Sequence, residues 1–281
     1  MMSVITVNFK TVDYLHTMLA SLFRFHNVSN VEVIVVENGS GDDLSVLRQS
    51  FPQVIYLESQ TNLGFAGACN LGAKHAHGDF ILLLNPDVVF VNDAIHQIEK
   101  QMIKNPDIGI GGISLKNFDG TQQACVWRFP KPLDQFLVLS KIPHLIPSIA
   151  PVARWRMTDF DYTQSQDVDQ VMGAFFCIRR NVFDELQGLD DGFFMWYEEV
   201  DFCKRAKEAG FRVRFFSEIS ALHKKGSSFD RVATQKKQRM IRQSIKRYMR
   251  KHESRFVSFF FSLCDPVFVC VSYIASRIKP L

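Results

Sequence analysis

The sequence predicts an α/β fold: an open, mostly parallel sheet flanked by helices, followed by a basic helix and an apolar tail. Three observations carry that expectation. Short β-branched runs alternate with stretches of helical period over the first 115 residues. The run at 31–37 holds Val or Ile at five of its seven positions, the pattern of a strand covered on both faces. Charge also changes sign along the chain, from a net −7 over residues 1–223 to a net +10 over residues 224–255.

Taken in order, residues 3–9 read as a strand and 13–25 as a helix with Leu15, Met18, Leu19 and Leu22 on one face. Residues 31–37 form the second strand, 42–50 a short helix, 54–57 a third strand and 65–76 a helix of small residues. A fourth strand at 80–84, a helix at 93–104 and a fifth strand at 108–115 complete the alternation, which implies right-handed βαβ units. Residues 117–166 hold five prolines and two tryptophans and read as loops and short helices over the sheet. The pattern resumes with a strand at 173–179, a helix at 181–186, a helix at 198–209 closed by Gly210, and a strand at 211–216. The expected division is a domain over 1–230, with a nucleotide-binding half (1–115) and an acceptor and catalytic half (116–230), and a tail over 231–281.

With 281 residues, 47% apolar and 12% aromatic, the chain can bury one large core, and disorder is excluded as a starting point. Six cysteines without a CxxC pair or zinc-type spacing read as buried thiols of a reducing compartment. The N-terminus has no basic region ahead of its apolar run, so the expected location is cytoplasmic, on the inner face of the cytoplasmic membrane. The tail motivates the membrane. Residues 234–252 form a basic helix with a narrow apolar stripe, and 256–274 are apolar but interrupted by Asp265-Pro266. A helix pair or re-entrant segment lying in the interface is preferred over a span, with burial against the protein as the third option. The basic stretch lacks the interleaved aromatic platform of a single-strand binder, so no nucleic acid is expected.

Open parallel sheets bind ligands at the carboxyl ends of their strands. Asn8 ends the first strand, Glu37-Asn38 the second and Asn85-Pro86-Asp87 the fourth, so all should open on one edge. Asp87 is placed to hold a divalent ion against a diphosphate, although Asn-Pro-Asp is also an ordinary turn. The carboxylate and amide of Glu37-Asn38 can hydrogen-bond a pyrimidine base, or Ser40 and Asp42 can simply cap a helix. The segment from Asn62 through Gly64 to Asn70 is glycine-rich and opens a helix, which suits either diphosphate oxygens or close packing. Trp196-Tyr197-Glu198-Glu199-Val200-Asp201 sets carboxylates at a helix start among aromatics, where one can act as a general base. Asp201 and Arg205 stand i, i+4 and can pair with each other. His223, followed by Lys224, Lys225, Gly226, Ser227 and Ser228, can complete a metal site beside phosphate-binding groups, or be a structural histidine.

The ordered set of these segments resembles the family 2 glycosyltransferases of GT-A fold, and among them the bacterial rhamnosyltransferase-like members. The pieces are Val7-Asn8-Phe9, Val35-Val36-Glu37-Asn38-Gly39-Ser40, Asn62-Leu63-Gly64-Phe65-Ala66, Leu84-Asn85-Pro86-Asp87, Gly173-Ala174, Phe193 through Arg205, and His223 with Gly226 and Ser228. The resemblance runs from residue 4 to about residue 252. It implies an inverting transferase that uses Mn²⁺ or Mg²⁺ and a dTDP- or UDP-sugar, with rhamnose or a similar deoxyhexose passed to a lipid-linked or polysaccharide acceptor. By the same resemblance Asp87 and His223 are metal ligands, and Val7, Asn8, Glu37, Asn38, Asp42, Asn62, Gly64, Asn85 and Arg205 surround the donor. Glu199 matches the general base, with Glu198 and Asp201 as alternatives because the family carries Asp where this chain has Glu. Asn85 replaces the first acid of the family's DxD motif. A nucleotidyltransferase on a related sheet and a non-catalytic binding protein are the competing readings. Release of nucleoside diphosphate, against consumption of triphosphate or no turnover, separates the three. Oligomeric state is left open.

Overall fold

A computed structural model of the chain describes residues 1–26, 30–224 and 234–278. The first half runs β1 (Met2–Asn8), α1 (Val12–Phe25), β2 (Val31–Asn38), α2 (Ser45–Ser50), β3 (Ile55–Ser59), α3 (Gly64–Ala73), β4 (Phe80–Leu84), β5 (Val88–Val89), α4 (Ala94–Lys104) and β6 (Ile108–Lys116). The second half adds β7 (Val126–Trp127), α5 (Pro132–Leu139), α6 (Ala150–Arg156), β8 (Gln166–Asp167), β9 (Gln170–Val171), β10 (Phe175–Arg179), α7 (Arg180–Glu185), α8 (Glu198–Glu208), β11 (Arg212–His223), α9 (Thr234–His252) and α10 (Arg255–Ile278).

The main sheet has the order β3-β2-β1-β4-β10-β6-β11-β5, with β8 also paired to β11. The pairs β1–β2, β1–β4, β2–β3 and β6–β11 are parallel, as the alternating pattern predicts. Every residue of β1 and of β4 is buried, and β4 is accordingly apolar on both faces. Leu15, Met18, Leu19 and Leu22 of α1 are buried at i, i+3, i+4, i+7 spacing, each worth roughly 1.5–3 kcal/mol in removed apolar surface. Asp93 caps α4 by accepting from the His96 amide at 3.3 Å.

Two features depart from the sequence expectation. The strand expected at 211–216 extends through residue 223, because polar Ser217, Glu218 and Ser220 ride a register irregularity against β6 instead of ending the strand. That extension pairs His223 with Val88 in antiparallel β5. β10, meanwhile, is antiparallel to both β4 and β6, between which it lies. Since β6 is reached through two antiparallel steps, β1, β2, β4 and β11 all point the same way, and their ends share one edge.

The tail is corrected as well. The break expected at Asp265-Pro266 is absent: α10 continues through Pro266 as one helix. The Asp265 carboxylate meets Lys246 at 3.1 Å and Arg242 at 3.5 Å on α9, so its charge is neutralised. Pro266 is exposed, and a proline there costs one backbone hydrogen bond that surrounding packing can offset. The 20 residues Arg255–Ile274 are long and apolar enough to cross a membrane, at a mean hydropathy of 1.8. One face of α10 is nevertheless packed. Phe261 and Phe268 join Phe193, Tyr197, Val200, Ile245, Tyr248 and Met249 in a second apolar cluster, apart from the core of the sheet. The opposite face is open, with Phe256 77%, Phe259 66% and Leu263 65% exposed.

Among the described cysteines, Cys69, Cys125, Cys177 and Cys203 are buried, Cys264 is half-buried and Cys270 is exposed; all six are free thiols. Burial pushes the Cys125 thiol up to about 12.

Candidate active site

The shared strand edge brings Asp87 and His223 into contact. Antiparallel pairing of His223 with Val88 carries the imidazole past the turn that follows β4, and Asp87 Oδ1 lies 3.3 Å from His223 Nε2. Both side chains are buried, at 3% and 5% exposure. The Lys224 amide donates to the Asp87 carbonyl at 3.0 Å and locks the two segments together. On the opposite side of the ring, His223 Nδ1 is 2.9 Å from Gln123 Oε1. A cleft of about 630 Å³ opens beside the pair, walled by Tyr14, Thr17, Val89, Asn117, Phe118, Asp119 and Lys224. That volume falls in the range of small-molecule sites. Glu37, Asn38 and Glu199 do not line this cleft.

Asn85, half-buried, donates its amide to the Ala174 carbonyl at 3.0 Å and closes a turn through Val88. This hydrogen bond fixes the start of β10 to the end of β4. Among the described residues no group of three or more His, Cys, Asp or Glu forms a metal cage. Asp87 and His223, 3.3 Å apart, are two groups that could hold a metal ion here. A divalent ion of the Mg²⁺ or Mn²⁺ kind tolerates such a sparse set, because it takes its remaining ligands from phosphate and water.

The residues after β1 and β2 are mostly engaged with one another. Glu37 Oε1 accepts from the Ser40 amide and hydroxyl, each at 2.7 Å, and from the Gly41 amide at 2.9 Å. Its Oε2 is buried without a hydrogen-bond partner, and so retains an acceptor for a donor such as a pyrimidine N–H. Asn38 uses both amide hydrogens, on Asn62 Oδ1 and the Gly64 carbonyl at 3.2 Å each, and its Oδ1 accepts from the Leu63 amide at 2.9 Å. Asn62 Oδ1 also takes the Gly64 amide at 2.8 Å. Asn8 donates to Asp42 Oδ2 at 2.9 Å while its Oδ1 receives the Thr11 hydroxyl at 2.9 Å. Val7 is a core residue paired with Val36. Asn8, Asn38, Asp42 and Asn62 thus build the wall of the edge, and Glu37 keeps an oxygen in reserve.

Gly64 joins this wall to the carboxylate segment. Its φ is +75°, and a Cβ there would sit 2.5 Å from the Phe194 carbonyl, so no other residue fits without displacement. Next to it, the Phe65 amide donates to that same carbonyl at 3.0 Å. Trp196 and Tyr197 both adopt left-handed backbone, with φ of 62° and 73°. Two consecutive bulky residues in that region store strain, a feature that concentrates at functional sites. The turn is held by Tyr197 Oη donating to Gln135 Oε1 at 2.5 Å and by the Ser244 hydroxyl donating to the Met195 carbonyl at 2.7 Å.

What the turn presents is a pair of carboxylates. Glu199 is half-buried and packs over Gly173, where an added Cβ would lie 3.6 Å from its Cγ. Gly173 precedes Ala174, the residue bonded to Asn85, so Glu199 adjoins the strand end that carries Asp87. Glu198 is buried at 4% exposure and lies near Cys69 of α3. Each has one buried oxygen without a partner. Burial raises Glu199 above the usual carboxylate range, countered by backbone N–H groups at the start of α8. Burial, together with the charge of Glu199, pushes Glu198 well above it.

The structure moves Asp201 and Arg205 out of the candidate site. Arg205 donates to Asp201 at 2.8 Å and to the carbonyls of Leu186 and Gly188 at 2.7 and 2.9 Å, which commits its guanidinium to the turn after α7. Asp201 is fully buried and also receives His252 Nε2 at 2.7 Å and Lys251 Nζ at 2.8 Å. It ties α9 to α8, with no oxygen left to take a proton from an alcohol. Lys251 and Arg247 further meet Asp190, whose pKa falls to about 2; burial opposes the fall, and the hydrogen bonds from Arg247 and Lys251 outweigh it. Lys225, Gly226, Ser227 and Ser228, expected near phosphate, lie outside the described residues. Sequence reasoning missed Gln123 and Tyr14, for neither stands in a recognisable local pattern.

The family description Glycosyl transferase family 2 matches residues 3–186. The chain is 26% identical over 236 residues to a low-salt glycan biosynthesis hexosyltransferase of Haloferax volcanii, covering 79% of this chain and 66% of that protein. It is 25% identical to the N-acetylglucosaminyl-diphospho-decaprenol L-rhamnosyltransferase of Mycobacterium tuberculosis, covering 81% of this chain and 77% of the relative. Among solved structures, the mannosyltransferase PcManGT of Pyrobaculum calidifontis, in complex with GDP-Man and Mn²⁺, superposes with a TM-score of 0.59 at 13% identity, covering 99% of this chain and 74% of that one. S. aureus TarS with UDP-GlcNAc gives 0.56 at 16% identity, covering 88% and 66%. These two likenesses establish the fold as GT-A.

Proposed function

The chain belongs to glycosyl transferase family 2, and on that premise we propose that it is an inverting, metal-dependent transferase acting on a nucleotide-diphosphate sugar. It is a glycosyltransferase by family; the mechanism is our reading. The observation that carries it is the meeting of Asp87 and His223 at the edge where β4 and β11 end, beside Asn85 and the Gly173 over which Glu199 lies. Asp87 and His223 would hold a Mn²⁺ or Mg²⁺ ion, which when bound neutralises the diphosphate leaving group. Glu199 removes the acceptor hydroxyl proton as the oxygen attacks the anomeric carbon. The bond to diphosphate breaks on the opposite face, and configuration inverts. Glu37 Oε2 orients the base of the donor.

For the donor we favour a dTDP- or UDP-linked deoxyhexose such as rhamnose, and for the acceptor a lipid-linked or polysaccharide saccharide. The support is the naming of the mycobacterial relative and of an Escherichia coli relative as rhamnosyltransferases, the former on a decaprenol-linked sugar. A donor screen that follows nucleoside diphosphate release, with Mn²⁺ and Mg²⁺ compared, tests this directly. One sugar nucleotide should stand out, and Asp87→Ala should abolish its turnover. Consumption of nucleoside triphosphate instead would point to a nucleotidyltransferase.

We also propose that α10 seats the enzyme on the inner face of the cytoplasmic membrane. Phe256, Phe259 and Leu263 lie at i, i+3, i+7 on the open face, and the adjoining cations Arg239, Arg250 and Arg255 form no ion pair with a described residue. Replacing all three apolar residues by Asp should weaken binding to anionic vesicles by at least about tenfold, given roughly 1.5–3 kcal/mol per buried side chain. Diphosphate release from the donor should be unaltered in detergent. Vesicle binding equal to that of the unaltered protein would end the interfacial reading. Deleting α10 is a poorer test, because Phe261 and Phe268 support Tyr197.

A further inference from the structure

We infer that Gln123 is a positioning residue that fixes the His223 imidazole in the single tautomer able to offer a lone pair beside Asp87; this rests on the metal reading above. Gln123 follows the turn after β6 and is buried at 3% exposure. Its amide nitrogen is 2.6 Å from the His223 carbonyl and 2.7 Å from Asn117 Oδ1. A carbonyl can only accept, so that atom is the NH₂ group, and both its hydrogens are committed. The atom 2.9 Å from His223 Nδ1 is then Oε1, an acceptor. An acceptor at that distance requires hydrogen on Nδ1. Neutral imidazole carries one ring hydrogen, so Nε2, 3.3 Å from Asp87 Oδ1, is left with its lone pair.

The alternative tautomer shows why this matters. Hydrogen on Nε2 would be donated to the Asp87 carboxylate, satisfying the two ligands with each other and closing the space between them to a cation. Gln123 holds the proton on the far nitrogen. It also anchors the histidine's own backbone, so the ring is set in position and in protonation pattern by one side chain. Outer partners of this kind typically change metal affinity by about 10–100-fold.

The test compares the full chain with Gln123→Met, which keeps bulk but offers neither donor nor acceptor, and Gln123→Glu, which keeps an acceptor facing Nδ1. Long-range ¹H–¹⁵N spectra in alkaline buffer, with His223→Ala for assignment, report the tautomer without any metal. Mn²⁺ binding in the presence of UDP, followed by electron paramagnetic resonance, reports the consequence. The unaltered protein should show the Nδ1–H form. Gln123→Met should shift toward Nε2–H and bind Mn²⁺ about 10–100-fold more weakly, whereas Gln123→Glu should retain the tautomer and most of the affinity. Loss of stability common to both variants does not mimic that split. An Nε2–H form in the unaltered protein, or a Gln123→Met variant unchanged in spectrum and affinity, would overturn the inference. Unaltered protein that shows Nδ1–H yet binds no Mn²⁺ would support the tautomer assignment and remove the metal reading instead.

Discussion

Glu199→Gln lowers kcat/KM for sugar transfer by about 10²–10⁴-fold, the range a positioned general base supplies, with UDP or dTDP binding unchanged. The amide keeps the shape of the side chain over Gly173 and cannot accept a proton from the acceptor. Glu198→Gln retains most of the activity, because Glu198 is buried and lies toward α3. The pH profile follows from the same geometry. Burial raises Glu199, so kcat/KM climbs with pH through a limb above the ordinary carboxylate range. Stability runs the other way for Glu198. Its folded-state pKa lies above that of the unfolded chain, so its contribution is full in acid and drains away as pH rises through the raised value. Glu198→Gln should accordingly gain stability relative to the unaltered protein in alkaline buffer. Full turnover by Glu199→Gln across the pH range would take the base role from this residue.

Asp201→Ala costs about 3–5 kcal/mol of folding stability, measured by denaturant unfolding near neutral pH, since it strips the partner from the half-buried Arg205 guanidinium and leaves the groups gathered around it unpaired. Arg205, Lys251 and His252 all converge on this carboxylate. Burial alone would raise Asp201; the hydrogen bonds from His252 and Lys251 and the charge of Arg205 outweigh it and hold the group below its usual range. Its contribution is therefore present above the unfolded-state pKa and is lost as pH falls through the lower folded value. The gap between variant and unaltered protein should narrow in acid. A change of only a few tenths of a kcal/mol would show that α9 is seated by its apolar stripe alone.

The sequence by itself determined the alternation of strands and helices, the edge on which Asn8, Asn38 and Asn85-Asp87 would open, and the helix that begins at Glu198. Each of these follows from short-range information: the period of apolar positions, the small residues at turns, and the direction that a parallel crossover imposes. Tertiary structure decided what those side chains touch. Asn38 turned out to be spent on Asn62 and Gly64, and Asp201 on the C-terminal helix, because polar atoms brought indoors must find partners wherever the fold places them. The extension of β11 to His223 depended on pairing with β5, and the continuity of α10 through Pro266 on the α9 cations beside Asp265. Gln123 became visible only once a strand distant in sequence had delivered His223 against it. Local pattern reports which face of an element is buried; only the packed chain reports which atom waits on the other side.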